Sequence, residues 1–177
     1  MTRPLGYSLV ELLFVLLIAG ILLSLATPAL VSTVQDNRET QAVNQLLGAL
    51  HYARGTAVME RKVVGICGGR SACNRRNHWH GQLMVYEDSP GGGGPASDDS
   101  LLRVTPLPGD LYVHWRGFRP SHSVIYKPDG TVAGTNGTLT LCRDGIAVRA
   151  LVINVSGRVR TRTPSDDDRC NLSATRR

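Results

Sequence analysis

The chain has 177 residues, 42% apolar and 19% charged, which fits one folded domain of ordinary size and excludes wholesale disorder and collagen-like repeats. Its net charge is +6, and 18 of the 20 basic residues are arginine, the side chain that binds phosphate or carboxylate groups through two parallel hydrogen bonds. Four cysteines allow two disulfide bonds if the chain leaves the cytosol.

The N-terminal part of the chain contains a long apolar segment over residues 12–31. Its only polar side chains are Ser24 and Thr27. A helix of this length extends about 30 Å, which matches the hydrocarbon core of a bilayer. We therefore predict a membrane-spanning helix here, and this argues against a simple soluble enzyme.

One carboxylate, Glu11, precedes the apolar segment directly. A carboxylate at the edge of an apolar helix costs several kcal/mol unless it is neutralised or paired, so Glu11 is a candidate functional residue. If the chain is cut after Gly6, Tyr7 supplies a free amine four residues before Glu11, on the same helix face. The amine that pairs with Glu11 would come from the same chain or from a neighbouring subunit, and we predict a role for Glu11 in assembly.

The helical pattern continues beyond the apolar segment and then gives way to alternation. An apolar stripe repeats at helical spacing, through Val43, Leu46, Leu47, Leu50, Ala53 and Ala57. It predicts one helix over residues 7–59, whose second half packs on a sheet. Short strands are predicted over 62–67, 80–87, 101–105, 111–115, 123–126, 138–142 and 146–155. The expected fold is α+β, with a long N-terminal helix on a mostly antiparallel β-rich domain over residues 60–177.

Two parts of the sequence resemble one known family. The apolar segment follows the sequence GYSLVE at residues 6–11, which resembles the class III signal of type IV pilins and pseudopilins. The C-terminal segments YKPDG, GTLTLC and LVINVSGRVR, at residues 126–130, 137–142 and 151–160, are similar to the FimT/GspH family of minor pilins and pseudopilins. The resemblance implies a type IV pilin-like fold.

The same resemblance implies how the chain is processed and where it resides. Residues 1–6 would be a leader that prepilin peptidase removes between Gly6 and Tyr7, followed by N-methylation of Tyr7. The chain would cross the bacterial inner membrane once, with its globular domain in the periplasm, and would become extracellular when it joins other pilins in a pilus. The alternative is an uncleaved signal anchor with Glu11 near the membrane interface.

The cysteines and histidines admit two interpretations. Cys67 and Cys73 flank a short turn, and their pairing would leave Cys142 to pair with Cys170, although three connectivities remain open. The alternative is a zinc site formed by Cys67, Cys73, His78 and His80, whose spacing is not that of a standard zinc finger. The periplasm is oxidising, and this favours disulfide bonds over a zinc site. No cofactor or metal is expected.

The C-terminal part of the chain carries a row of three arginines. Arg158, Arg160 and Arg162 alternate, so in an extended strand they share one face about 6.6 Å apart, which suits the successive phosphates of a nucleic-acid strand. Gly157 lets the chain turn or approach a ligand closely. The sequence of residues 157–160 is similar to the G-R-x-R motif through which FimT-type minor pilins bind DNA. A solvated strand edge, with charges that prevent sheet-to-sheet pairing, is the alternative.

These observations give two hypotheses about function. The first is a minor type IV pilin that binds DNA non-specifically for uptake in natural transformation. The second is a type II secretion pseudopilin, or a tip-priming minor pilin, without DNA binding. No catalytic constellation is recognisable in the sequence, so we do not expect an enzyme.

Overall fold

The structure, a computed structural model, describes residues 8–70, 72–88, 95, 100–119, 121–132 and 134–170, without the side chains of residues 25–29. Its first element is the helix α1, Leu9–Glu60, within two residues of the prediction at each end. The predicted leader and the cleavage site between Gly6 and Tyr7 lie outside the described residues. Among the residues described, no helix is both long and apolar enough to cross a membrane, and the span over residues 12–31 stays a prediction.

The chain divides into two compact units, residues 1–38 and residues 39–177. In the first unit, α1 presents apolar side chains to solvent around its circumference, with Leu9 75% exposed and Leu23 66% exposed. Glu11 lies in the first turn of the helix, where its side chain is exposed and its charge complements the helix dipole. A continuous apolar surface of this kind is typical of a segment that is covered by lipid or by other protein.

The second unit contains the β-strands. Among its described residues, nine strands follow α1, and every strand pair is antiparallel. Their bounds in chain order are β1 (Val64–Gly69), β2 (His78–Trp79), β3 (Gln82–Glu87), β4 (Leu101–Pro106), β5 (Leu111–Gly117), β6 (Val124–Tyr126), β7 (Gly137–Arg143), β8 (Ile146–Ile153) and β9 (Val159–Arg162). One sheet has the order β4-β3-β1-β6 and the other has the order β2-β5-β7-β8-β9.

The second half of α1 and the inner faces of both sheets share one hydrophobic core. The predicted apolar stripe is confirmed in this core, since Leu46, Leu50, Ala53 and Ala57 are buried and Val43 and Leu47 pack against them. Trp79 and Trp115 are also fully buried, with ring centroids 6.2 Å apart. The helix therefore covers a sheet-rich domain, as the change of periodicity predicted.

Candidate nucleic-acid interface

A tight turn over residues 154–157 connects β8 to β9 and begins the arginine row. The amide of Gly157 donates to the carbonyl of Asn154 at 2.9 Å, and the Asn154 side-chain oxygen accepts from the amide of Arg158 at 2.9 Å. Gly157 has a φ of 75°, a conformation that favours glycine, and a Cβ there would overlap the carbonyl oxygen of Gly130. Gly157 is thus required by the turn and by the close approach of a neighbouring loop.

Arg54, on the half-buried side of α1, anchors this turn to the rest of the domain. Its Nε donates to the carbonyl of Gly130 at 3.0 Å, and its Nη2 donates to the carbonyl of Ser156 at 3.0 Å. One side chain therefore joins the turn before β9 to the loop after β6. Sequence reasoning did not identify Arg54, because its partners are backbone carbonyls that lie far from it in sequence.

The register of β9 sets the direction in which its side chains face. Val159 is opposite Ile153 and Thr161 is opposite Leu151, both of which are buried in the core. Because side chains alternate along a strand, Arg158, Arg160 and Arg162 face the outer side of the sheet. The structure therefore brings the predicted arginine row onto one face, along the edge strand.

The three arginines differ in what surrounds them. Arg158 and Arg160 are exposed, and within the described ranges neither guanidinium forms an ion pair. Arg162 instead makes a two-pronged contact with the carboxylate of Asp168, with Nη1–Oδ2 at 2.5 Å and Nη2–Oδ1 at 3.0 Å. Arg162 shares the face of the row, but its charge is already paired.

Asp168 belongs to a tail segment, residues 163–170, that returns across the outer face of the sheet. Its side chain is fully buried and accepts hydrogen bonds from the amide and hydroxyl of Ser165, at 2.8 and 3.1 Å. Burial tends to raise the pKa of the Asp168 carboxyl, but hydrogen bonds from Arg162 and Ser165 outweigh it and lower the pKa. The carboxylate is therefore ionised near neutral pH and holds Arg162.

Two further contacts hold the tail segment in place. A disulfide joins Cys170 to Cys142 on β7, and the Tyr112 hydroxyl donates to the carbonyl of Cys170 at 2.6 Å. Arg116 on β5 also approaches Asp168, with Nη2–Oδ1 at 3.7 Å, while its side chain stays 54% exposed. The tail segment is thus held at its end by the disulfide and, two residues earlier, by the ion pairs of Asp168.

The contacts of Cys67 and Cys73 test the alternative interpretation, a zinc site. Cys67 and Cys73 form a disulfide, so neither presents a thiolate to a metal. His78 stacks on His114 with centroids 4.7 Å apart, and His80 stacks on Tyr112 at 4.9 Å. Over the described part of the chain, no three His, Cys, Asp or Glu side chains are placed to bind a metal ion. The zinc interpretation is therefore wrong for these cysteines.

Comparisons with known proteins agree with the fold. The family model described as type II transport protein GspH matches residues 42–157. Two crystal structures of the type IV minor pilin FimU from Pseudomonas aeruginosa strain PAO1 superpose with TM-scores of 0.59 and 0.56, each at 21% identity. They cover 77% and 75% of this chain, and 98% and 99% of the FimU chains. No curated protein matches the chain. The predicted pilin-like α+β fold is confirmed.

Proposed function

Since the chain belongs to the FimT/GspH family of minor pilins and pseudopilins, we propose that it is a minor type IV pilin that binds DNA during natural transformation. The single observation that carries this proposal is the pair of exposed arginines, Arg158 directly before the edge strand β9 and Arg160 within it, on the outer side of the sheet. Guanidinium groups bind phosphate oxygens through parallel N–H···O contacts. The role is structural and ligand-binding rather than catalytic.

Assembly into a filament rests on the first unit. The exposed apolar side chains of α1 supply a surface that other pilin helices cover in a pilus, and residues 12–31 supply the inner-membrane anchor before assembly. In this proposal prepilin peptidase cuts between Gly6 and Tyr7, and the methylated amine of Tyr7 pairs with Glu11. Residues 60–177 then form the periplasmic domain that becomes extracellular with the pilus.

DNA binding rests on Arg158 and Arg160, which the turn at Gly157 holds at the start of β9. The Asn154 and Arg54 contacts order this turn before any ligand arrives, so less conformational entropy is lost on binding. Two phosphate contacts on duplex DNA give a slope of about −1.8 for the logarithm of affinity against the logarithm of salt concentration. Binding by one subunit is therefore weak and independent of base sequence, and multiple subunits along a filament raise it.

The test compares wild-type chain with Arg158→Ala plus Arg160→Ala, both full-length in a non-ionic detergent. We expect the double variant to retard labelled DNA much less in a gel-shift assay and to lose most of the salt dependence. Arg158→Lys plus Arg160→Lys keeps the charge but removes the fork geometry, and should bind with intermediate affinity.

The matched control is Arg70→Ala plus Arg103→Ala, which removes the same charge from two exposed arginines that lie on or beside strands of the other sheet. Only a loss specific to the β9 pair supports the proposal. Equal retardation by wild type and by the Arg158 and Arg160 double variant would contradict it.

A second candidate is a type II secretion pseudopilin without DNA activity, which the description of the matching family model favours. Both functions need Glu11 and the helix for assembly, so only the arginines separate them. In the native host, the Arg158 and Arg160 double variant should abolish transformation and leave secretion intact if the DNA proposal is right. Normal transformation by that variant, together with lost secretion in Glu11→Ala, favours the pseudopilin.

A further inference from the structure

The ends of four neighbouring strands meet at one end of the sheet that carries the arginine row. Along one row of the register, Arg116 is opposite Thr138, Thr138 is opposite Val152, and Val152 is opposite Arg160. Since opposite residues in antiparallel strands share a face, Arg116 and Arg160 face the same side. Three strand spacings of about 4.8 Å place their backbones roughly 14 Å apart.

The hydrogen-bonded pairing extends two residues beyond this row, and the residue that follows β5 directly is aromatic. The amide of Phe118 donates to the carbonyl of Asn136 at 2.7 Å, and the amide of Asn154 donates to the carbonyl of Arg158 at 3.1 Å. Phe118 and Arg158 therefore continue the two outer strands at the same end. Because side chains alternate in an extended chain, Phe118, one residue past β5, faces the same side as Arg116, two residues earlier.

Phe118 is the most exposed of the Phe, Tyr and Trp residues that the structure describes in this unit. Its side chain is 77% exposed, whereas Trp79, Trp115, Tyr86 and Tyr126 are fully buried and Tyr52 is 37% exposed. An exposed phenyl ring adds little of the burial free energy that a core position would give it. The amide of Phe118 is hydrogen-bonded to the carbonyl of Asn136, directly before β7, so the backbone that carries the ring is held in place.

We propose that Phe118 is a base-stacking residue, and that the end surface formed by Arg116, Phe118, Arg158 and Arg160 prefers single-stranded DNA to duplex. This inference rests on the proposed function, because the arginines supply the phosphate contacts. It adds to the proposed function a preferred class of DNA, because an aromatic ring can stack only on a base whose face is not covered by a neighbouring base. In a duplex interior both faces of each base are covered by its neighbours.

The charges around Phe118 fit a strand that crosses the end of the sheet. Arg116 lies on the near side of the ring; its guanidinium is 3.7 Å from the Asp168 carboxylate, a longer contact than that of Arg162, and its side chain stays 54% exposed. Arg158 and Arg160 lie on the far side, across β7 and β8. A single strand whose phosphates contact both groups passes over Thr138 and Val152 between them, with a base turned toward Phe118. Non-specific single-strand sites combine such a basic groove with aromatic stacking.

The test measures the binding of fluorescein-labelled oligothymidine, a duplex of equal length and an abasic strand of equal charge to the full-length chain in non-ionic detergent. We expect wild type to bind oligothymidine most tightly. Phe118→Leu keeps an apolar side chain without the ring, and should weaken oligothymidine binding about tenfold while duplex and abasic binding stay within about twofold.

Two further variants keep the result interpretable. Phe118→Trp should restore binding, and its emission should be quenched by oligothymidine but not by the abasic strand, since Trp79 and Trp115 are both buried. Ile146→Ala removes an exposed apolar side chain at the opposite end of the same sheet and should bind like wild type.

The outcomes separate this inference from the proposed function. If Arg158→Ala plus Arg160→Ala loses all DNA binding but Phe118→Leu binds oligothymidine like wild type, the stacking assignment is overturned and the proposed function stands. Duplex binding as tight as single-strand binding also overturns it. A wild-type chain that binds none of the three probes overturns both, and a Phe118→Leu defect confined to pilus assembly makes Phe118 a subunit contact instead.

Discussion

Arg158, directly before strand β9, and Arg160 within it are exposed to solvent, whereas Arg162 at the end of β9 is held by the buried carboxylate of Asp168. The three side chains are chemically identical and share one face, so the difference comes from what lies opposite them. The tail segment over residues 163–170 covers the end of β9 and leaves its beginning open. Strand geometry thus places the arginines, but long-range contacts decide which of their charges remain available to a ligand.

The largest expected effect comes from releasing the tail segment. Cys142→Ala plus Cys170→Ala opens a loop with a sequence separation of 28, which by the chain-entropy model lowers the free energy of unfolding by about 3.6 kcal/mol. Urea denaturation measures that loss. We also expect tighter DNA binding, because a mobile tail no longer fixes Asp168 against Arg162.

The first disulfide provides the matched control for this prediction. Cys67→Ala plus Cys73→Ala opens a loop with a separation of only 6, which lowers stability by about 2.4 kcal/mol in the same model and leaves Asp168 in place. DNA binding by this variant should be unchanged. An equal gain in affinity from both pairs of substitutions would show that tail release is not the cause.

The second-largest expected effect distinguishes the contribution of the Asp168 charge from that of the Cys142–Cys170 disulfide. Asp168→Asn keeps the shape of the side chain but removes the charge that holds Arg162, and we expect unfolding to be easier by about 2 kcal/mol. Because Arg162 then becomes available, the salt slope for duplex DNA should steepen by about 0.9. Asp167→Asn removes the same charge from an exposed neighbour, so a similar change in that variant would contradict the pairing argument.

Much of the fold could be predicted because it follows from local periodicity. The helix over residues 7–59 was predicted from an unbroken apolar pattern, and each of the seven predicted strands has a counterpart in the structure. Strand β2 was not predicted because it has only two residues. Strand β9 has a single apolar residue, Val159, so its composition does not predict a strand. Its hydrogen bonds with β8 hold it in the extended conformation.

The candidate site was less accessible to sequence reasoning. Alternation predicts that Arg158, Arg160 and Arg162 share a face, but the pairing of Arg162 depends on a tail segment that folds back across the sheet. Arg54 acts through backbone carbonyls, which no side-chain pattern reveals. Phe118 joins Arg158 only through the register of four strands, so no spacing in the sequence links them. These contacts depend on how distant segments pair in the fold, so they could not be predicted from the sequence alone.

Acid titration gives the smallest expected effect, because the carboxylate is only partly protonated at accessible pH. Hydrogen bonding lowers the pKa of Asp168 below its usual 3.8, so its contribution to stability is present above that pH and is lost as the pH falls below it. Burial, with the nearby His78, lowers the pKa values of His80 and His114, so protonation of these groups costs stability below about pH 6.5 in any variant. The difference in unfolding free energy between wild type and Asp168→Asn cancels that shared histidine contribution. It should stay constant from neutral pH to about pH 5 and shrink near pH 3, whereas a difference that stays constant over the whole range would mean that the Asp168 charge does not hold the tail segment.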